Sequence, residues 1–428
     1  MKHRRRRRRG SGRQDLSIDN VSRERVEYWV LSMLIPLNGH RDFFNTMGSF
    51  SDDTVAYFLG LDKYVDNYAP EDKKEILMIL KNRLQELDSS DMPSLPRILG
   101  RNIKKIMKLI KLNKTERDIL IFAIYLKYYD LLGEASRTLN ELSSEKLVTV
   151  LSYLLDHAPH KVKKALSPRS KLARSGLVTI DRDGSGSMAS KIEILSREFA
   201  DRMMSLDEDI EEMIRDSVRR CEPALLSVDD FGYLGNDLEL LVPYLDQAVN
   251  QKRQGVNILF YGRPGTGKTE LTKALADRLG VGIYEVSYAD EDDEPISGTR
   301  RLKAYKVAQS FFSNNKVLLM FDEIEDVVGD DQSFNPFLPK KQSNKGWMNR
   351  ILEGNKIPAI WITNDIGSMD PAMVRRFDMS MEIPIPPKAK RKEIIQEACA
   401  NLLSEKSIDK IAQNEAIAPA LVSRAAKV

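Results

Sequence analysis

Residues 260–269 read Phe260-Tyr261-Gly262-Arg263-Pro264-Gly265-Thr266-Gly267-Lys268-Thr269, and they fit the pattern G-x-x-x-x-G-K-[ST] at every fixed position. Glycine adopts the positive φ angles that let consecutive backbone N–H groups converge on phosphate oxygens. A helix that begins at Lys268 would add the positive end of its dipole. The segment therefore predicts a loop that binds the phosphates of a nucleotide.

This loop supplies most of the predicted nucleotide contacts. They are Gly262, Pro264, Gly265, Thr266, Gly267, Lys268 and Thr269. Lys268 is placed to reach the β- and γ-phosphates, and the hydroxyl of Thr269 is placed to bind Mg²⁺. The pattern also requires a buried strand before it and a helix after it. Residues 256–260 are mostly apolar and residues 271–279 carry apolar side chains at helical spacing, so both requirements are met.

A second apolar segment ends in carboxylates. Val317–Phe321 is predicted to be a strand that delivers Asp322 and Glu323 to its tip, which is the Walker B arrangement. Asp322 would hold Mg²⁺ through water, and Glu323 would polarise the water that attacks the γ-phosphate. Glu325 and Asp326 continue the acidic run, and we interpret them as surface charge.

Further apolar segments, 281–286 and 358–363, alternate with helical patterns, which indicates a parallel α/β sheet with its ligand at the carboxyl ends of the strands. Asn364 stands at the tip of the last predicted strand. Its amide group is both donor and acceptor, so it can orient a water molecule against the γ-phosphate. Residues 370–378 follow at once with the sequence Asp-Pro-Ala-Met-Val-Arg-Arg-Phe-Asp.

Four motifs in this order, at 262–269, 321–323, 363–364 and 370–378, resemble the AAA+ ATPases, closest to the AAA branch. The resemblance covers about residues 229–428 and implies a P-loop NTPase core, a parallel sheet flanked by helices, with a small helical lid. It implies Mg²⁺-dependent ATP hydrolysis, with Asn364 as the sensor-1 residue. Arg375 and Arg376 are its candidates for the arginine finger, which enters the site of a neighbouring subunit and implies a ring, usually a hexamer.

The sequence departs from the family pattern in two places and stops early in the lid. The usual R-P-G-R is contracted to adjacent Arg375 and Arg376, so either could be the finger. Residues 290–298 contain no aromatic side chain where ring unfoldases carry an aromatic pore loop, which argues against polypeptide threading. Arg424 stands at a sensor-2 position that would contact nucleotide. The lid, predicted at 387–428, stops inside its last helix, which suggests a fragment of a longer protein.

The residues before this core are mostly helical by their apolar spacing. We expect a basic disordered tail at 1–14, which carries the run Arg4 to Arg9, a helical domain at 15–111, and a winged-helix-like domain at 112–180. Thr115 and Ser144 are the predicted N-caps of two helices in that second domain. A basic segment, 161–174, and a short strand pair near 177–180 complete the winged-helix pattern, a fold that binds either DNA or protein.

A linker and bridging region is predicted at 181–226, with one amphipathic helix over 192–218, and the large ATPase subdomain at 227–386. The net charge of +3 does not indicate a nucleic-acid binder. Cys221 and Cys399 lack metal-ligand spacing and suggest a reducing compartment. No apolar run approaches the roughly 18 to 20 residues of a membrane span, so we expect a cytoplasmic protein without a membrane.

Two functional hypotheses remain open from the sequence. In the first, a ring-forming ATPase remodels an unknown protein substrate that the N-terminal helical domain recruits. In the second, a nucleic-acid-associated motor or loader uses the basic segment 161–174. A scaffold that binds ATP without hydrolysis is disfavoured because Asp322 and Glu323 are both present.

Overall fold

The computed structural model describes residues 18–45, 48–65, 68–88, 94–289, 294–328, 345–399 and 403–414, together with Val422 and Ala425. The chain forms two compact units, Met1–Met213 and Ile214–Val428. The first is mostly helical and the second is an α/β unit, so the predicted fold class is confirmed. In the described part, no helix is long and apolar enough to cross a membrane.

The described part of the N-terminal unit consists of helices and one pair of short strands. The helices are α1 (Asn20–Leu34), α2 (His40–Phe43), α3 (Asp53–Phe58), α4 (Asp72–Asp88), α5 (Arg97–Ile110), α6 (Lys114–Tyr128), α7 (Asp130–Ser136), α8 (Ser144–Leu154), α9 (Pro159–Ala165), α10 (Lys171–Ser175), α11 (Met188–Lys191), α12 (Arg197–Ser205) and α13 (Ile210–Met213). Short 3-10 turns occur at Asp62–Tyr64 and Arg137–Leu139. The strands are β1 (Val178–Ile180) and β2 (Ile192–Ile194).

Aromatic side chains fill the centre of this unit. Trp29 of α1 packs edge-on against Phe122 and Tyr125 of α6, with ring centroids 5.0 and 5.3 Å apart. Its indole N–H donates to the carbonyl oxygen of Leu154 at 3.1 Å, so the buried polar atom is satisfied. These contacts join α1, α6 and α8 around one core, because each helix places apolar residues on one face.

The prediction of one helix over residues 192–218 is wrong, because this region begins with a strand and continues with two separate helices. Ile192–Ile194 pairs antiparallel with Val178–Ile180, so that Val178 lies opposite Ile194. The reason is the local period: Ile192 and Ile194 are buried and Glu193 between them is not, which is the alternation of a strand. Residues 181–191 therefore form the connection of a hairpin and not a domain linker, and the unit boundary falls later, after Met213. The winged-helix assignment stays a prediction.

The described part of the C-terminal unit alternates strands and helices. They are β3 (Val218–Arg220), a 3-10 helix (Val228–Leu234), α14 (Asn236–Asn250), β4 (Asn257–Tyr261), α15 (Lys268–Leu279), β5 (Gly282–Val286), α16 (Gly298–Phe311), β6 (Val317–Phe321), α17 (Glu325–Val328), α18 (Lys345–Gly354), β7 (Ala359–Thr363), a 3-10 turn (Ile366–Ser368), α19 (Pro371–Val374), β8 (Met379–Glu382), α20 (Lys388–Ala398) and α21 (Glu405–Gln413).

In this unit the described strands form a single sheet in the order β3-β5-β6-β7-β4-β8. All neighbouring pairs are parallel except β3 and β5, which are antiparallel at one edge. Strands β6 and β7 are buried at every position, as expected for strands covered by helices on both faces. The carboxyl ends of β4, β6 and β7 therefore meet at one edge, where the predicted site residues begin.

A buried polar network fixes the opposite end of β4. The side chain of Asn257 donates to the carbonyl oxygens of Gly255 and Leu352 at 3.0 and 2.7 Å. Its own carbonyl oxygen accepts from the indole N–H of Trp361 at 3.0 Å. Since Asn257 is completely buried, these bonds satisfy polar atoms that would otherwise be costly. The network holds β4, which leads into the glycine loop, against β7.

The described lid helices α20 and α21 pack on each other through Ile395, Cys399, Ile408 and Ala412. Arg391 is buried, and its guanidinium donates to the carbonyl oxygen of Ala412 at 2.9 and 2.7 Å. These hydrogen bonds connect the first turn of α20 to the last turn of α21.

Candidate nucleotide-binding site

The glycine loop has the backbone that phosphate binding requires. Gly262, Gly265 and Gly267 have φ angles of 140°, 79° and 96°, a region in which side chains are strained. A Cβ atom at Gly262 would lie 2.5 Å from the carbonyl oxygen of Ile383 just beyond β8. At Gly267 it would lie 3.1 Å from the ring of Phe231. Glycine is thus required by conformation and by close approach, and α15 begins directly after Gly267.

Lys268 lies inside this loop. Its ammonium group donates to the carbonyl oxygens of Gly262 and Arg263 at 2.7 and 2.9 Å, and to the side-chain oxygen of Asn364 at 2.9 Å. Burial lowers the pKa of Lys268, and the carboxylates of Asp322 and Glu325 oppose that shift. A partly desolvated cation in this position interacts strongly with an anionic ligand.

Thr269 and Asp322 provide a pair of oxygen ligands. The Thr269 hydroxyl donates to Oδ2 of Asp322 at 2.8 Å, which joins the first turn of α15 to the tip of β6. No cluster of three or more His, Cys, Asp or Glu side chains suited to a metal occurs in the described part of the chain. A hydroxyl beside a carboxylate nevertheless fits Mg²⁺, which takes one or two protein ligands and completes its shell with water and phosphate oxygens.

Glu323, the predicted base, follows Asp322 at the end of β6. Its residue is exposed, and its backbone φ is +53°, an uncommon value for a residue other than glycine. The backbone N–H of Glu323 donates to Oδ1 of Asp322 at 2.9 Å. The turn therefore brings the Asp322 carboxylate to Thr269 and leaves Glu323 as an exposed residue at the end of the strand.

The interpretation of Glu325 as surface charge is wrong, because its carboxylate accepts two hydrogen bonds from the tip of β7. Its Oε1 accepts from the Thr363 hydroxyl at 2.6 Å and from the backbone N–H of Asn364 at 2.5 Å. The carboxylate thus connects α17 to the tip of β7 and holds the residue whose side chain contacts Lys268. The side chain of Asp326 lies outside the described part of the structure.

The two adjacent arginines after α19 have different surroundings. The guanidinium of Arg376 forms an ion pair with the carboxylate of Glu353 in α18. Arg375 is exposed, and its side chain has no hydrogen bond or ion pair within the described ranges. Neither arginine contacts Lys268 or Asp322, so the structure does not bring them into the site of their own chain. Arg424 and residues 290–293 lie outside the described residues.

Sequence reasoning missed three residues that support the site: Glu325, Phe231 and Arg301. Phe231 lies in the 3-10 helix before α14, and its ring packs against Gly267. Arg301 is completely buried and donates to the backbone of the β6 tip. A signal for Arg301 existed, because it shares one helical face with Tyr305 and Gln309, at a spacing of four residues.

Comparison with known proteins agrees with this geometry. Residues 258–385 match the family model described as ATPase family associated with various cellular activities (AAA). The matched segment begins in β4 and includes the glycine loop, the β6 carboxylates and Asn364. This segment of the chain is thus similar to the ATPases of the AAA family.

Three curated relatives each match less than half of the chain. A putative cell division cycle ATPase of Plasmodium falciparum is 29% identical over 142 residues, which are 32% of this chain and 12% of the relative. A mitochondrial sorting homolog of Caenorhabditis elegans is 29% identical over 143 residues, 32% of this chain and 41% of the relative. The 26S proteasome regulatory subunit 10B of Dictyostelium discoideum is 27% identical over 206 residues, which are 44% of this chain and 51% of the relative. The matches thus span at most about half of each of these relatives.

Proposed function

We propose that this chain binds ATP with Mg²⁺ and hydrolyses it as one subunit of a ring. The observation that carries the proposal is the convergence of Lys268, Thr269, Asp322, Glu323 and Asn364 on one edge of the sheet. A phosphate loop, a metal-binding pair and a carboxylate beside them are the parts that phosphoryl transfer to water requires. The match of residues 258–385 to a family model of ATPases supports the same reaction.

Each side chain then has a defined task. The loop N–H groups and Lys268 hold the β- and γ-phosphates, and Lys268 exchanges its bonds with the loop carbonyls for bonds with phosphate oxygens. Glu323 accepts hydrogen bonds from the attacking water and polarises it, while Asn364 orients that water from the tip of β7. Thr269 and Asp322 would hold Mg²⁺, and the bound ion would supply positive charge to neutralise the phosphates.

Arg375 is the stronger candidate for the finger that completes the site of a neighbouring subunit. Arg376 already has a carboxylate partner in Glu353, whereas the exposed Arg375 has none among the described residues. An arginine that acts in another subunit must be accessible at the surface of its own. Because the matched relatives include a proteasome regulatory subunit, a ring that remodels protein partners is the preferred biological role, in the cytoplasm, with the N-terminal helical unit as the recruiting part.

The test is the ATPase rate per subunit as a function of protein concentration, with size-exclusion mass measured in ATP. We expect the rate to rise with concentration, and to fall by at least about 100-fold in Arg375→Ala, because a finger is worth about 10³ to 10⁵ in kcat. Arg376→Ala is the matched control and should keep most of the rate. A rate that is flat with concentration, or equal losses in both variants, would contradict a site shared in this way.

A second candidate function, nucleic-acid binding, is favoured by one specific observation. The N-terminal unit exposes a set of cations with no carboxylate partner in the described part of the chain. They are Lys104, Lys108, Lys111, Lys114, Lys161, Lys163, Lys164, Arg169 and Arg174. The ammonium group of Lys171 donates to the carbonyl oxygen of Lys111, so α10 lies beside the junction of α5 and α6. Lys111 and Lys114 therefore lie near the helix that carries Arg174, and a group of exposed cations suits a phosphate backbone.

Binding of a labelled DNA duplex at several salt concentrations tests this candidate. We expect the affinity to fall as the salt concentration rises. Lys163→Glu, Lys164→Glu and Arg169→Glu together should make the negative slope of log K against log salt less steep by about 3. Lys81→Glu, an exposed lysine of α4, serves as the control. Absence of binding at low salt would remove this candidate.

A further inference from the structure

We propose that Arg301 is a positioning residue for Glu323, and that it couples helix α16 to the hydrolytic end of β6. The inference rests on the proposed ATPase function, and it assigns a role to a side chain that does not reach the nucleotide site itself.

The contacts of Arg301 concentrate on the tip of β6. One terminal nitrogen donates to the carbonyl oxygen of Asp322 at 2.5 Å, and the other donates to that of Glu323 at 3.0 Å. The carbon at the centre of the guanidinium lies 4.3 Å from the ring centroid of Phe321. Arg301 therefore contacts three consecutive residues, and its planar group with fixed donor directions defines their geometry better than a lysine could.

The turn held by Arg301 is one that needs support. Glu323 has φ +53°, and a left-handed conformation at a residue with a side chain persists only when its surroundings fix it. The hydrogen bond from its N–H to Asp322 is local and cannot orient the turn relative to the rest of the unit. Arg301 supplies that external support, because it is anchored in another helix and is completely buried.

The electrostatic surroundings also favour a cation at this point. Burial raises the pKa of the neighbouring Glu285 on β5, and the charge of Asp322 raises it further. Lys273, Arg301 and Arg219 act on Glu285 in the opposite direction. Arg301 is thus a buried positive charge next to a group of carboxylates, and its removal would leave their mutual repulsion less compensated.

The face of α16 that carries Arg301 also contacts β7 and the residues before it through Tyr305 and Gln309. The Tyr305 ring packs on Trp361 with centroids 4.8 Å apart, and the side chain of Gln309 donates to the carbonyl oxygen of Ile357 at 2.9 Å. Arg301 is the member of this face nearest the amino end of α16, where Ser297 caps the helix. A displacement of that end would therefore be transmitted through Arg301 to Glu323.

The experiment compares wild type with Arg301→Met, which keeps an apolar chain over Phe321 but removes the donors, and with Arg301→Lys. Arg278→Met, an exposed arginine of α15, is the matched control. For Arg301→Met we expect ATP affinity within about threefold of wild type and kcat lower by about 100-fold, the cost of misplacing a catalytic group by about 1 Å. Arg301→Lys should recover about tenfold of that loss, since it restores the charge and one donor.

A crystal structure of Arg301→Met, in which both donors are gone, supplies a readout that does not need turnover. We expect Glu323 to leave the positive φ region, and a φ still near +53° would overturn the proposal. Unchanged kcat in Arg301→Met, or parallel losses of ATP affinity and melting temperature, would overturn it too. If wild type fails to hydrolyse ATP, the proposed function fails, while the backbone of Glu323 in the variant still decides the role of Arg301.

Discussion

Replacing Glu325 with alanine tests whether this carboxylate holds the tip of β7. The change removes the acceptor of two hydrogen bonds, from the Thr363 hydroxyl at 2.6 Å and from the Asn364 N–H at 2.5 Å. A hydrogen bond to a charged group contributes about 1.5 to 3 kcal/mol. The exposed Asn364 N–H can bond to water instead, so the loss comes mainly from the bond to the buried Thr363 hydroxyl, and we expect about 2 to 3 kcal/mol.

Urea unfolding measures this loss, and a Trp29→Phe background leaves the fluorescence to the tryptophans of the C-terminal unit. Glu325→Gln keeps an acceptor oxygen and should lose only about 1 kcal/mol. Glu353→Ala removes an exposed ion pair and should lose less than about 1 kcal/mol. If Glu325→Ala were as stable as Glu353→Ala, the carboxylate would not be holding β7 in solution.

Three further predictions concern the glycine loop, the buried network and a thiol. Gly262→Ala should lose at least about 2 kcal/mol of unfolding free energy together with ATP binding, because its Cβ would meet a backbone oxygen at 2.5 Å; retained ATP binding in a titration would refute this. Asn257→Ala should lose about 2 to 4 kcal/mol in urea unfolding because it leaves buried partners unsatisfied, and a loss below about 1 kcal/mol would contradict the network. Burial, assisted by the carboxylate of Glu285, raises the pKa of Cys221 to about 12. In Cys399→Ser, Ellman's reagent at pH 8 should therefore react at least about tenfold more slowly with the folded than with the unfolded chain, and equal rates would contradict this. Since the pKa in the folded state is the higher one, the contribution of this thiol to stability is complete below about pH 9 and is lost as the pH rises towards 12.

The phosphate loop and the β6 strand could be predicted from the sequence because their constraints are local. A strand, a glycine turn and a helix start are encoded by neighbouring residues, and Val317–Phe321 was predicted with the bounds that the structure has. Gly280 ends α15 in the left-handed conformation expected of a glycine at a helix terminus.

Helix starts in the N-terminal unit were predicted less accurately. The cap of α6 is Asn113 and not Thr115, and Ser143 caps α8 where Ser144 was expected. A local signal could have decided the first case, since Asn113 and Glu116 form a capping box three residues apart, a pairing that Thr115 lacks. Adjacent residues with equal capping ability, as at 143 and 144, cannot be separated by composition.

The roles of Glu325 and Arg301 could not be predicted because they depend on contacts between distant parts of the chain. Glu325 is separated from Asn364 by a complete strand and helix, and only the neighbouring positions of β6 and β7 bring them together. The strand at Ile192–Ile194 was missed for the same reason, since three residues carry too little periodicity without knowledge of their partner strand.

ATP binding and turnover by wild type, Lys268→Ala and Glu323→Gln test most directly whether the loop and the β6 carboxylates form one hydrolytic site. We expect Glu323→Gln to bind ATP with Mg²⁺ as tightly as wild type while turnover falls by at least about 100-fold, since it removes only the group that polarises water. Lys268→Ala should weaken ATP binding itself. Equal ATP affinity in Lys268→Ala and wild type, or full turnover in Glu323→Gln, would contradict the assignment of the site.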